Sequence, residues 1–177
     1  MLARKIASIH PVIVLVFWIA LALASPILVM TLGGSAGMFV VNASTLVVGA
    51  CWCGWMWAIR TAALEEASGN ATPRRPWLYA VPLLAFLPFL ILPEGALEAG
   101  GLLAVAANLA AILLLGSGVF LLWKTAEALE RMVAPGLAPP KMKVFSTTVL
   151  LAMIYVAPFV VARRFAARAR PAEAAAA

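Results

Sequence analysis

Apolar residues in this chain come in long unbroken runs, not at the three- and four-residue spacing of a helix that lies half in water. The longest are Pro11–Leu32, Met38–Ile59, Trp77–Leu92, Gly101–Trp123 and Val144–Ala162, and none contains an Asp, Glu, Lys or Arg. A helix that is apolar all round has to bury its whole surface, either in a large core or in lipid. A hydrocarbon layer about 30 Å thick takes roughly 20 helical residues to cross, close to the length of these runs. The pattern therefore predicts an all-α integral membrane protein. Its expected architecture is a five-helix transmembrane bundle with spans at about 11–32, 38–60, 77–93, 101–124 and 144–162, then a basic, Ala-rich tail over 163–177.

The runs also order themselves. Gly54-Trp55-Met56-Trp57-Ala58-Ile59-Arg60-Thr61-Ala62 parallels Gly118-Val119-Phe120-Leu121-Leu122-Trp123-Lys124-Thr125-Ala126 at an offset of 64 residues. In both, Gly precedes a cation by six residues, Thr-Ala follows it, and a Glu comes later, Glu66 or Glu130. Each is then followed by a Pro- and cation-rich loop and a second apolar run. This reads as an N-terminal helix plus two tandemly duplicated helical hairpins, an architecture membrane proteins use. The second and fourth helices are expected to run past the membrane to Ser68 and Val133, since no breaker intervenes and Ala, Leu and Glu favour helix. Lys124, Glu127 and Arg131 would then stack as ion pairs on one side of the fourth helix.

Composition sharpens the picture. Hydrophobic residues make up 65% of the 177 and charged residues 11%, against roughly 25% charged in a soluble domain. The net charge of +6 sits at the ends of the runs and in loops. It points to lipid headgroups and the positive-inside bias, with no basic stripe for nucleic acid. Arg4 and Lys5 ahead of an apolar stretch resemble a signal peptide, with Ala22-Leu23-Ala24 as a cleavage-like site. The run continues to Leu32, beyond the roughly 7–15 residues of such a segment, so a retained first helix is expected.

Orientation follows from counting cations. Five spans with the N-terminus inside place nine Lys and Arg in the cytoplasm (Arg4, Lys5, Arg60, Arg74, Arg75, Lys124, Arg131, Lys141, Lys143). Four remain outside, Arg163, Arg164, Arg168 and Arg170, all in the tail and against the positive-inside rule. A four-span rival that demotes Trp77–Leu92, a short run interrupted by Pro82 and Pro88, also gives nine against four. The repeat favours five. Trp55, Trp57, Trp77, Tyr79 and Trp123 cluster at the same expected boundary, where aromatic rings settle at headgroup depth.

Reactive chemistry is sparse. His10 is the only histidine and has no second ligand beside it, so no metal or haem is expected. Cys51 and Cys53 point opposite ways on a helix and can neither bridge nor chelate together. Glu65, Glu66, Glu127 and Glu130 read as solvated surface charge, with no His to make an acid–base pair. No phosphate loop, dinucleotide fingerprint, nucleophile elbow or zinc signature is present, and no charge sits within a run, where ion-coupled carriers place one. What remains is neutral: Asn42, Ser44, Thr45, Asn108, Ser117, Thr147 and Thr148, the usual material of bonds between helices.

One pattern is more pointed. Ala104, Asn108, Ala111, Leu115 and Gly118 share a face of the fourth helix, and Val40, Ser44, Val47, Cys51 and Gly54 stand at the equivalent places on the second. Small residues let helix backbones approach in lipid. Asn42, Ser44, Cys51, Gly54, Asn108, Ala111 and Gly118 are thus a candidate helix-packing face or ligand cleft. The leading functional expectation is a non-catalytic accessory or scaffold subunit of a bacterial inner membrane, its N-terminus cytoplasmic, binding a membrane-protein partner or its own copies. The alternative is an oligomeric permeation pathway for a neutral or apolar solute.

Overall fold

A computed structural model describes residues 11–32, 34–69, 76–91 and 100–176. It is all-helical among them, with α1 (Pro11–Leu32), α2 (Gly34–Ser68), a 3-10 turn (Pro76–Tyr79), α3 (Val81–Phe86), α4 (Pro88–Ile91), α5 (Gly101–Val133), α6 (Lys141–Ala152) and α7 (Ala157–Ala176). Helices α2 and α5 reach Ser68 and Val133, as helix-favouring residues and the absence of a breaker require. Phe39–Ser68 and Gly101–Val133 are long and apolar enough to cross a membrane, yet only 17% of the apolar stretch of each is buried.

The two long helices end alike. The Thr61 hydroxyl donates to the Trp57 carbonyl and the Thr125 hydroxyl to the Leu121 carbonyl, both at 2.8 Å. Both Thr-Ala pairs are buried. Past each helix a glycine takes a positive φ, Gly69 at 70° and Gly136 at 84°, a region other residues rarely adopt. At the first of these the Gly69 N–H caps the Glu65 carbonyl at 2.9 Å.

The second runs differ from the single helices expected. Trp77–Leu92, whose described part ends at Ile91, is a 3-10 turn and two short helices interrupted at Leu87. Pro82 fits the first turn of α3, where no N–H is needed, and Pro88 forces the restart. Val144–Ala162 is likewise two helices. Helix α6 stops at Met153, whose backbone is extended (φ −78°, ψ 91°), and α7 starts at Ala157. Pro158 supplies the cause, because it has no N–H for the Ile154 carbonyl and its ring crowds that carbonyl.

The chain divides into two compact units. The first comprises Met1–Ile19, Trp55–Arg75 and Leu121–Ala177, the second Ala20–Gly54 and Pro76–Phe120. Every charged residue among the described ones belongs to the first unit. So do all the largest fully buried side chains: Met56, Ile59, Leu129, Met132, Leu151, Val161, Thr125 and Thr147. In the second unit Leu102, Leu109, Ile112, Leu113, Leu115 and Val119 are all exposed.

Candidate functional site

The residues singled out in the sequence fall in the second unit, and the structure does not gather them into an enclosed site. Asn42 is half-buried and its Nδ2 donates to the Phe89 carbonyl at 3.2 Å, in the short helix α4. Ser44 is half-buried and donates back to Val40 O at 2.7 Å. Asn108 is exposed and donates to Ala104 O at 2.8 Å, within its own helix. Cys51 is exposed and Cys53 buried, both as free thiols on opposite sides of α2. Ala111 is half-buried.

The glycines of the stripe have no close neighbour. A Cβ built at Gly54 or Gly118 meets no atom within 4 Å, and Val47 and Leu115 on the same stripes are 61% and 69% exposed. The stripe is open within a single chain. Small residues alone do not select which helix face packs; here α2 is buried on the side of Cys53, Met56 and Ile59 instead.

The structure does bring together a site that sequence reasoning missed. Glu130 was expected on a solvated turn, but it is only 5% exposed. The Thr147 hydroxyl donates to its Oε1 at 2.5 Å, and Arg164 Nη2 lies 2.6 Å from the same oxygen. The guanidinium also donates to Thr147 Oγ1 at 3.3 Å. Three helices meet in this cluster. Helix α5 supplies the carboxylate one turn before its end, α6 a buried threonine, and α7 the cation. A buried carboxylate is tolerated only when paired and hydrogen-bonded, and both conditions hold at this oxygen.

Around the same helix end, the expected surface ladder forms. Lys124 Nζ is 2.9 Å from Glu127 Oε2, and Arg131 Nη2 is 2.5 Å from Glu127 Oε1. Lys124, Glu127 and Arg131 are 34%, 21% and 51% exposed, so this ladder is a modest, solvent-screened contribution. Of the expected boundary aromatics, Trp77 is exposed and Trp57 and Trp123 are half-buried, whereas Trp55 and Tyr79 are buried in the protein.

Five of the seven neutral polar residues bond their own helix. Ser44, Thr45, Asn108, Ser117 and Thr148 all donate to a carbonyl four residues back. Only Asn42 and Thr147 reach another element. Among the described residues no group of three His, Cys, Asp or Glu side chains gathers to hold a metal; His10, Arg74, Arg75, Glu94 and Glu98 lie outside those residues. No family model matches the chain, and comparison with curated proteins and with solved structures finds nothing similar.

Proposed function

We propose that this chain is a non-catalytic multi-pass protein of a bacterial inner membrane, an accessory or scaffold subunit that engages a membrane partner through its apolar helices. One observation carries the reading. The apolar stretches of α2 and α5 stay exposed, 17% buried each, while the charged ends of the same helices hold the best-buried side chains. A core helix of a water-soluble protein is buried along its apolar length, and exposed patches this large mark lipid or protein contact. The back-bonded Ser44, Thr45, Asn108 and Ser117 support it as well, since hydroxyls and amides facing lipid have no water to turn to.

The subunit reading is preferred to permeation because the polar residues available for a path are dispersed. Asn108 is exposed and bonded to its own helix, and Gly54 and Gly118 face open space. An accessory subunit needs exposed, shape-bearing helix surface, which α2 and α5 have. A transporter needs a lined cavity.

The test is expression with a tag, alkaline washing of membranes and purification in mild detergent. Retention in the washed membrane with a second membrane protein at fixed stoichiometry is the expected result. Release by the wash would end the membrane reading. A clean homo-oligomer that passes a neutral solute in vesicles would replace the subunit reading with permeation.

A further inference from the structure

The bonds among Glu130, Thr147 and Arg164 bear on where the last apolar run goes. Thr147 and Arg164 are 17 residues apart. In one continuous helix that separation is roughly 25 Å, at 1.5 Å per residue. Their side chains are instead 3.3 Å apart, so the chain doubles back between them. The turn is Met153–Val156, and α6 and α7 pack against each other. Helix α6, with 12 residues, is roughly 18 Å long and too short for a 30 Å hydrocarbon layer.

Depth can be bounded from the same contacts. Glu130 lies seven residues past Trp123, the end of the charge-free run, or roughly 10 Å outside the apolar layer. Thr147 and Arg164 bond to Glu130 and share its level. From Thr147 to Met153 even a helix aimed straight at the membrane descends only about 9 Å. The tip therefore goes no deeper than the headgroup boundary. Its side chains suit that depth: Met153, Tyr155, Val156 and Phe159 are 54%, 49%, 38% and 45% exposed.

We propose that α6 and α7 form an interfacial wedge pinned by Glu130, Thr147 and Arg164, which holds its apolar tip against the lipid headgroups and returns α7 to the side of the 134–140 loop. The proposal rests on the membrane reading above. Around the tip, Met153, Tyr155, Val156 and Phe159 are all exposed. Apolar and aromatic side chains at the end of a helical hairpin gain by burial at the headgroup boundary, where a Tyr keeps its hydroxyl in water.

Charge placement across the membrane then resolves. With α7 beside Glu130, four crossings before the wedge put all thirteen Lys and Arg on one side. Demoting Trp77–Leu92 as well would split them eight against five. The tail no longer breaks the positive-inside rule.

The experiment uses the full chain with Cys51→Ser and Cys53→Ala, carrying a single cysteine at either Leu137 or Ala166, both exposed positions. In oriented membrane vesicles, an impermeant maleimide is expected to label Leu137→Cys and Ala166→Cys from the same side. Labelling from opposite sides, in protein still retained by the washed membrane, overturns the wedge and leaves the membrane reading standing. Loss of membrane retention overturns that reading instead. An environment-sensitive dye on Tyr155→Cys, an exposed tip position, then reports the lipid contact in phosphatidylcholine nanodiscs that carry a headgroup-labelled quencher lipid. Much stronger quenching at Tyr155→Cys than for the same dye on Leu137→Cys is expected. Equal quenching at the two positions overturns the lipid contact of the tip.

Discussion

The two compact units follow opposite rules. The unit built from Trp55–Arg75 and Leu121–Ala177, with Met1–Ile19, contains every described charge and fifteen of the twenty buried apolar residues. All five buried polar side chains, Thr61, Thr125, Glu130, Thr147 and Thr148, are there too. The unit built from Ala20–Gly54 and Pro76–Phe120 has no described charge and contributes only the other five, Cys53, Tyr79, Ala85, Ala107 and Ala110, with Pro82 buried beside them. In water the hydrophobic effect would make the more apolar unit the better packed. The reverse is found. A core forms where a polar surface is available to cover it, and the apolar unit keeps its side chains outward, as a helix in lipid does at no hydrophobic cost.

The largest effect should come from removing core volume in the charged unit. Leu129→Ala empties a fully buried position on α5, for a loss of about 2–5 kcal/mol. Leu115→Ala, 69% exposed on the same helix, should change thermal stability in detergent little. Equal losses at the two positions would erase the contrast between the units. Next in size is a charge in the apolar unit. Ile112→Arg, at a 66% exposed position, should lower membrane insertion by about 2.5–3.5 kcal/mol, whereas Leu137→Arg in the loop should be neutral. An insertion assay that finds Ile112→Arg harmless would mean that this surface faces water.

Much of the fold was legible in the sequence, for a physical reason: an uninterrupted apolar run has few alternatives to helix. Helices α1, α2 and α5 follow from it, as do the extensions to Ser68 and Val133 and the Lys124–Glu127–Arg131 ladder. The turn at Met153–Val156 was not read, because these four residues are apolar and include no glycine. Its signal was Pro158, acting four residues upstream through a lost hydrogen bond. Glu130 was misread as surface, although Ala126 and Leu129 beside it on α5 are apolar and fully buried. Its partner Arg164 is 34 residues away, and a single sequence has no local pattern linking the two. The stripe through Gly54 and Gly118, open to 4 Å at both glycines, shows the converse. Small side chains permit close approach, but only a neighbouring helix makes it happen.

The buried cluster offers an intermediate effect that sharpens the contrast from the charged side. Arg164→Ala leaves Glu130 buried without its cation, which for a fully buried pair costs about 3–5 kcal/mol. Arg164 is 31% exposed, and water can partly replace it, so a loss of about 2–3 kcal/mol in detergent melts is expected. Adding Glu130→Gln should recover most of that loss, because the amide still accepts the Thr147 hydroxyl and no longer needs a counter-charge. A single variant as stable as the parent would show the carboxylate to be hydrated. The double variant distinguishes a lost ion pair from a general loss of packing at α7, which Glu130→Gln would not repair.

The smallest effect tests the apolar unit through its glycines. Two helices in tight contact at Gly54 or Gly118 would have no room for a side chain, and Leu there would cost about 1–3 kcal/mol as overpacking. The space around both is open to 4 Å, and glycine within a helix is itself less favourable than alanine by about 0.5–1 kcal/mol. Gly54→Leu and Gly118→Leu should therefore leave the isolated chain as stable as the parent or raise its stability by about 0.5 kcal/mol. The sign decides between the two packings. A clear loss in the purified single chain would bring back helix contact through the stripe. Unchanged stability with loss of a co-purifying membrane protein would assign the stripe to a partner's helix, since the larger side chain then meets its obstacle only in the assembly. Because Gly54 and Gly118 close equivalent stripes on α2 and α5, the two variants also report on the repeat. Loss of partner from one alone would mean that the two helices, alike in sequence, have been given different neighbours.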